Sequence, residues 1–344
     1  RAEDGTKGAI LHVIGAAPAG HPFAGKVGPG EAVRLFTGSF VPSGANTVLI
    51  QEDATLNGDR LTVNETCAEQ KNIRRAGQDF AIGDILIPAG KRLTARDIGL
   101  AAAGNHPWLA VHRRPRIAIL ATGDEIFLPG EQIPPGGIVS SNAHALAAFV
   151  TSCGAEATIL PIAGDSLAAI AEGADGARGA DMLITTGGAS VGDHDLVQAG
   201  LAARGLSLEF WKIAMRPGKP LMFGSLGAMP MLGLPGNPVS AFVCAFLFLR
   251  PAIDRLLGLA GGAPATETAR LATALKPNDQ REDYVRATLN GHETGWLVTP
   301  FPVQDSGMLR TLAHATALIQ RPPHDPARAE GDTVQIIRLD NLDL

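Results

Sequence analysis

Residues 180–195 read ADMLITTGGASVGDHD: a short apolar run, two threonines, then three glycines, a serine and two aspartates. The run predicts a buried strand, and the glycines let backbone amides approach a ligand closely. No Gly-Lys-Ser/Thr follows to hold a nucleotide's terminal phosphates. The same grammar of strand, glycine-bearing turn and helix recurs on both sides. IAILATGDE (117–125) leads to SNAHALAAFVTSCG (141–154), a helix that Ser141 or Asn142 can cap and Gly154 ends. EATILPIAGD (156–165) leads to DSLAAIAEGADGA (165–177), with Asp165 as the expected cap. MLGLPGNP (231–238) leads to PVSAFVCAFLFLRPAIDRL (238–256). Strands alternating with helices predict an α/β domain over 115–262, a three-layer arrangement around a mostly parallel sheet. Its ligands are expected beyond the carboxyl ends of the strands, where the glycine-rich turns fall.

The flanks read differently. Over 1–80, AILHVI, EAVRLF, NTVLIQ and RLTVNE alternate with turns such as PSGAN and NGD, the spacing of a small β domain. A connecting helical segment spans 81–114, with LTARDIGLAAAG (93–104) as a helix capped by Thr94 and ended by Gly104. After the AGGAPA linker, ARLATAL, DYVRATLN, WLVTPF, ALIQRP and DTVQIIRL form a second small mainly-β domain over 263–344. The chain is thus multidomain, as 344 residues lead one to expect, because single cores stop growing near ~250–300 residues.

Composition narrows the function classes. A net charge of -5 argues against non-specific nucleic-acid binding, which needs a concentrated basic surface. The three cysteines, Cys67, Cys153 and Cys244, are dispersed and lack CxxC or Cys/His spacing, so they predict buried free thiols. The longest apolar stretch, AFVCAFLFL at 241–249, falls well short of the ~20 residues of a membrane helix and reads as core. No export signal is visible, and the expectation is a cytoplasmic protein that binds neither nucleic acid nor membrane.

Three turns stand at the expected active edge: ATGDEI (121–126), TTGGASVGDHD (185–195) and GLPGNPVSA (233–241). Each alone could be a packing turn; three in one α/β unit point to ligand binding. In MRPGKP (215–220), Arg216 and Lys219 flank a Pro-Gly turn and could converge on one anion, or lie solvated on the surface. Asp124, Glu125, Asp193 and Asp195 gather near these turns, and such oxygen ligands suit Mg²⁺ bridging a phosphate. Asp193 and Asp195 could equally cap the following helix, and His194 reads as a surface or supporting group.

Together, TGDE, TTGGASVGDHD, MRPGKP and GLPGNPVSA closely resemble the molybdopterin molybdenumtransferase family, which includes MoeA and the gephyrin C-terminal domain. LFTGSFVPSGANTVLIQE, NIRRAGQDF and DSGMLRTLAHATALI extend the resemblance over nearly the whole chain. Ala189 replaces the family's usual valine, and Arg216 the first lysine of its KPGKP-like turn. The resemblance implies a molybdopterin-binding type of α/β domain. It further implies an enzyme that takes adenylylated molybdopterin and molybdate, inserts the metal and releases molybdenum cofactor and AMP.

Carried over by motif, Asp79, Glu125, Asp165 and Asp195 match catalytic acids, and Asp124, Glu125 and Asp195 would hold Mg²⁺. Substrate contacts would come from Thr37 and Arg75 in the first domain, Thr122 and Gly123, and Gly187, Gly188 and Ser190. Arg216, Lys219, Pro235, Gly236, Asn237, Pro238 and Ser306 complete the set. The resemblance also implies a homodimer, with sites between subunits, and an upstream molybdopterin adenylyltransferase. Family members carry a further N-terminal segment with an SxMDGYA-like stretch, so the chain is expected to be part of a longer one. Two rivals remain: an ATP-dependent molybdopterin adenylyltransferase, usually built from the α/β domain alone, and a gephyrin-like scaffold.

Overall fold

Strands rich in Ile, Leu and Val with no alternating polar face must be covered on both sides, and such strands organise the larger part of the chain. The computed structural model describes residues 1–187, 196–293 and 295–339. The chain divides into two units, Arg1–Leu86 and Ile87–Leu344.

The first unit is a four-stranded sheet of β1 (Ile10–Ala17), β2 (Glu31–Leu35), β3 (Ala54–Asn57) and β4 (Arg60–Val63). Its order is β2-β1-β4-β3, with β1 and β2 parallel and the other pairs antiparallel. One expectation fails here. NTVLIQ (46–51) is not a ladder strand: Val48 N–H donates to the Lys71 carbonyl at 3.1 Å, and the Asn46 carbonyl accepts from Gln70 N–H at 2.8 Å. Its backbone groups are satisfied by the irregular stretch 68–71, so a strand-like apolar pattern runs outside the sheet.

The second unit opens with α1 (Ala95–Ala103), capped as expected. The Thr94 hydroxyl accepts from Asp97 N–H at 3.4 Å while the Asp97 carboxylate accepts from Thr94 N–H at 2.8 Å, a reciprocal capping box. Lys91 sits on the same carboxylate at 2.5 Å; its hydrogen bond, followed by those of Thr94, lowers the Asp97 pKa to about 2.

There follow β5 (Arg116–Ala121), the short parallel pair β6 (Ile126–Phe127) and β7 (Ile138–Val139), and α2 (Asn142–Ser152). Next come β8 (Glu156–Ile159), α3 (Leu167–Asp175), β9 (Met182–Thr186), α4 (Leu196–Ala202) and β10 (Leu206–Trp211). The unit continues through β11 (Met215–Arg216), β12 (Met222–Leu226), β13 (Met229–Leu234), α5 (Pro238–Cys244) and α6 (Arg250–Leu256), with a π-helical turn between the two helices. The central sheet has the order β10-β12-β13-β9-β5-β8. From β13 to β8 it is parallel, and β12 and β10 extend one side in antiparallel fashion.

Alternate residues of β5 feed two cores. Ile117, Ile119 and Ala121 pack with Leu146 and Phe149 of α2 and with Val243 and Phe246, while Ala118 and Leu120 pack with Ile170 of α3 and Val197 and Leu201 of α4. Cys153 and Cys244 are buried free thiols; burial raises the pKa of both. Asp165 is not the cap of α3: Ser166 is, its hydroxyl accepting from Ala169 N–H at 3.1 Å. At α2, Ser141 occupies the cap position but its side chain makes no cap bond.

The remaining elements are β14 (Glu267–Leu271), β15 (Glu282–His292), β16 (Gly295–Pro300), the short α7 (Leu309–Ala313), β17 (Ala317–Arg321) and β18 (Thr333–Arg338). Pairing runs β15-β16-β14-β18-β17 and returns to β15, closing a five-stranded ring that leaves no free edge among these strands. Outside the ring, β11 pairs in parallel with the start of β15, Met215 opposite Glu282 and Arg216 opposite Asp283.

Candidate active site

Three parallel strands end side by side, and their next residues form one wall of a cavity of about 820 Å³ in the second unit. Thr122 follows β5, Gly187 follows β9 and Pro235 follows β13. Thr122 N–H donates to the Thr186 carbonyl at 3.0 Å, which keeps the first two turns in step. Gly187 has φ +96°, and a Cβ built there would lie 2.4 Å from the Thr122 carbonyl oxygen. Only glycine fits that approach. Gly187→Ala is expected to lower stability by about 1–3 kcal/mol through strain at this turn. An unchanged urea midpoint would show that the turn relaxes at no cost.

The LPGNP turn is tied to the rest of the wall by side-chain amides. Asn142 Nδ2 donates to Thr186 Oγ1 at 2.9 Å and to the Gly236 carbonyl at 2.7 Å. Asn237 Nδ2 donates to Ser306 Oγ at 3.0 Å, and Val239 N–H to the Ser306 carbonyl at 3.1 Å. Pro238 supplies the first residue of α5, where its missing N–H costs nothing. Ser306 and Asp305 reach the cavity on a loop held by Arg286, a residue 1% exposed. Arg286 Nε donates to Gln304 Oε1 at 3.1 Å and Nη1 to the Asp305 carbonyl at 2.8 Å. Desolvation lowers the Arg286 pKa.

The two cations of MRPGKP both line the cavity but differ in state. Arg216 is committed to acids: Nη2 lies 2.5 Å from Asp283 Oδ2 and Nη1 3.3 Å from Asp279 Oδ2, and its pKa is raised, chiefly by the bond to Asp283. Lys219 is exposed and has no ion-pair partner among the described residues. An anion in this cavity therefore meets Lys219 as an unneutralised charge, whereas Arg216 is already balanced.

Of the acids, Glu125 lines the cavity. Asp124 and Asp165 are linked to each other beside it, Asp165 N–H donating to Asp124 Oδ1 at 2.9 Å and Asp124 N–H to Asp165 Oδ2 at 3.4 Å. Gly123 N–H donates to the Ala163 carbonyl at 3.0 Å. Thr37, Arg75 and Asp79 are exposed residues of the first unit. Gly188, Ser190 and Asp195 lie outside the described residues, as do Ala189, Asp193 and His194. Among the described residues no group of three or more His, Cys, Asp or Glu side chains is arranged to hold a metal. Ser140, Ser141, Asn142, Arg281 and Gln304 also line the cavity and belong to none of the motifs that mark the site in the sequence. In the sequence Asn142 reads only as a possible cap; the fold brings it to two glycine-rich turns.

Comparison with known proteins covers both units. The family described as "MoeA N-terminal region (domain I and II)" matches residues 1–104, "Probable molybdopterin binding domain" matches 118–255, and "MoeA C-terminal region (domain IV)" matches 268–339. A molybdopterin molybdenumtransferase of Nostoc sp. is 35% identical over 341 residues, spanning 96% of this chain and 77% of its own. Molybdopterin molybdenumtransferase 2 of Mycobacterium tuberculosis is 34% identical, spanning 98% of this chain and 85% of its own. Among solved structures, a molybdopterin biosynthesis moeA protein from Pyrococcus horikosii superposes with a TM-score of 0.84 at 27% identity, covering 98% of this chain and 84% of that one.

Proposed function

We infer that this chain, which belongs to the molybdopterin molybdenumtransferase family, inserts molybdenum in the synthesis of molybdenum cofactor, and that the cavity at the ends of β5, β9 and β13 is where it does so. The observation that carries the site is convergence: ATGDE, MRPGKP and LPGNP, spread over residues 121–238, each contribute residues to one cavity.

In the finer reading the substrate is adenylylated molybdopterin and the second substrate molybdate. Water adds to a phosphorus of the pyrophosphate bridge, the bridging P–O bond breaks and AMP leaves; at the dithiolene two Mo–S bonds form while one molybdate oxygen departs with the two thiol protons as water, with no change of oxidation state. Molybdate is a tetrahedral dianion, and Lys219 offers it an unneutralised ammonium at the cavity wall. Asn237 and Ser306, hydrogen-bonded to each other at 3.0 Å, orient the hydroxyl beside that wall. Hydrolysing a pyrophosphate requires its charge to be neutralised, which Mg²⁺ supplies when bound. The chemistry of the donor set fits Mg²⁺, which takes one or two carboxylates and completes its shell with water and phosphate oxygens. Glu125 and Asp124, with Asp195, would hold it.

Homodimerisation, a cytoplasmic location, roles for Thr37, Arg75 and Asp79, and supply of substrate by a molybdopterin adenylyltransferase belong to the same reading. No helix among the described residues is long and apolar enough to cross a membrane. The decisive assay is AMP release from adenylylated molybdopterin with and without molybdate. Molybdate-dependent release supports the reading, whereas ATP-dependent AMP attachment to molybdopterin would replace it with the adenylyltransferase alternative.

Lys219→Ala is expected to raise the molybdate concentration for half-maximal rate roughly ten- to a hundredfold, the worth of one hydrogen bond to a charged group. Affinity for the pterin substrate should change much less. A molybdate titration indistinguishable from wild type would assign Lys219 to the solvated surface.

A further inference from the structure

Arg216 and Lys219 share one turn of the cavity wall, yet among the described residues only the Arg216 side chain is met by acceptors. Its Nη2 donates to Asp283 Oδ2 at 2.5 Å and to Asn278 Oδ1 at 3.3 Å, and its Nη1 to Asp279 Oδ2 at 3.3 Å. A guanidinium grips an oxyanion through two parallel N–H bonds, either from Nη1 with Nη2 or from Nε with Nη2. Both hydrogens of Nη2 are taken, so both two-pronged faces of Arg216 are closed.

The acceptors are fixed without help from Arg216. Asn278 Nδ2 donates to the carbonyls of Arg281, Arg321 and Pro322 at 2.7, 3.2 and 2.8 Å. The Asp279 carboxylate receives Arg281 N–H and Nη2 at 2.9 and 3.1 Å, and its carbonyl accepts from His324 N–H at 2.7 Å. Asp283 lies in β15, opposite Arg216 in the pairing with β11. Turning Arg216 toward a bound anion would leave the Asp283 side chain, only 14% exposed, without its hydrogen-bonded cation, a costly exchange.

We propose that Asp283, Asp279 and Asn278 are positioning residues: they hold the Arg216 guanidinium as a clasp between the α/β part and the ring and withhold it from the oxyanion, which the turn meets through Lys219 alone. Arg281, a further cation on the wall, shares Asp279 with Arg216. The turn thus offers a dianion one uncompensated charge where its sequence carries two. A dianion also gripped by a two-pronged arginine would be held more tightly before reaction without being passed on faster. The inference rests on the reading of this cavity as the site of molybdenum insertion.

The test is equilibrium titration of the whole chain with molybdate and with sulfate at constant ionic strength, with AMP release measured beside it. Asp283→Asn keeps the shape and leaves Nη2 a neutral acceptor, so both dianions should bind roughly three- to tenfold more tightly, where damage to the fold would weaken them. Asp279→Asn, at an exposed position, should shift both in the same direction by less. Arg216→Gln leaves Asp283 uncompensated beside the cavity and should weaken both severalfold; adding Asp283→Asn to it should restore affinity to within about twofold of the unaltered protein. No gain in either acid variant, each folded by its urea midpoint, overturns the proposal. So does a double variant as weak as Arg216→Gln alone, which would make Arg216 itself a ligand, and so does failure of the unaltered protein to bind either dianion. If restoration is seen while molybdate-dependent AMP release is absent from the unaltered protein, the assigned reaction falls and the clasp stands. If AMP release is intact and restoration fails, the clasp falls and the reaction stands.

Discussion

Replacing Glu125 with alanine is expected to lower molybdate-dependent AMP release roughly 100- to 1000-fold, the loss typical of removing one preorganised charge-stabilising group, ~3–4 kcal/mol. The carboxylate lines the cavity on the turn after β5, with Oε2 poised over Gly123, 2.7 Å from where a Cβ would stand. It makes no hydrogen bond or ion pair among the described residues, so its removal leaves no partner stranded. Stability should therefore stay within about 0.5 kcal/mol of wild type. The pairing of a large rate loss with an unmoved urea midpoint separates a chemical role from a structural one. Unchanged AMP release by folded Glu125→Ala would remove Glu125 from the mechanism and with it the central Mg²⁺ carboxylate.

The second large effect is structural first. Arg286 sits in β15 with its guanidinium buried, making no salt bridge among the described residues and holding Gln304 and the Asp305 carbonyl. Gln304 Nε2 returns the bond to the Arg286 carbonyl at 2.9 Å and reaches the Phe301 carbonyl at 2.9 Å. Arg286→Ala removes the side chain that fills this space and its two hydrogen bonds to the loop, while Gln304 Oε1 keeps the backbone N–H of residue 286 at 2.9 Å and the Asp305 carbonyl keeps that of Met308 at 3.3 Å; the loss is expected to be about 2–4 kcal/mol. The loop 304–306 loses its anchor, so AMP release should fall as well, through misplacement of Ser306. Arg286→Lys should recover little, because an ammonium cannot reproduce the planar two-point grip on Gln304 and Asp305. A urea midpoint near wild type in Arg286→Ala would show that the loop is held by other means, such as the Asn237–Ser306 and Val239–Ser306 bonds.

What could be seen in the chain before folding was the local grammar. The capping box of Thr94 and Asp97, the buried strand before Gly187 and the core helices around AFVCAFLFL all follow from period and from cap chemistry, which act over a few residues. The failures share a cause. NTVLIQ has the pattern of a strand, but which backbone answers Val48 depends on Lys71, more than twenty residues away. Asp165 and Ser166 are both good caps, and Asp165 was drawn off by Asp124 on a different strand–helix turn. Arg216 reads as available in the sequence because nothing nearby opposes it; its partners are Asp283 in β15 and Asp279 on the loop before it. Arg286, in DYVRATL, has the alternation of a half-exposed strand and no sign that both of its faces are covered.

The pairing of β11 with β15 bears on how substrates come and go. A two-residue strand from the α/β part is stitched into the C-terminal ring, beside the Arg216–Asp283 pair and close in sequence to Lys219. A second tie joins the same two parts, Val239 N–H and Asn237 Nδ2 both being bonded to Ser306. With two such seams, the α/β part and the ring cannot part here without breaking backbone bonds at two places. The two parts of the wall are therefore held in fixed register, and what distinguishes one molecule from another along it is charge and fit, not the parting of these two parts.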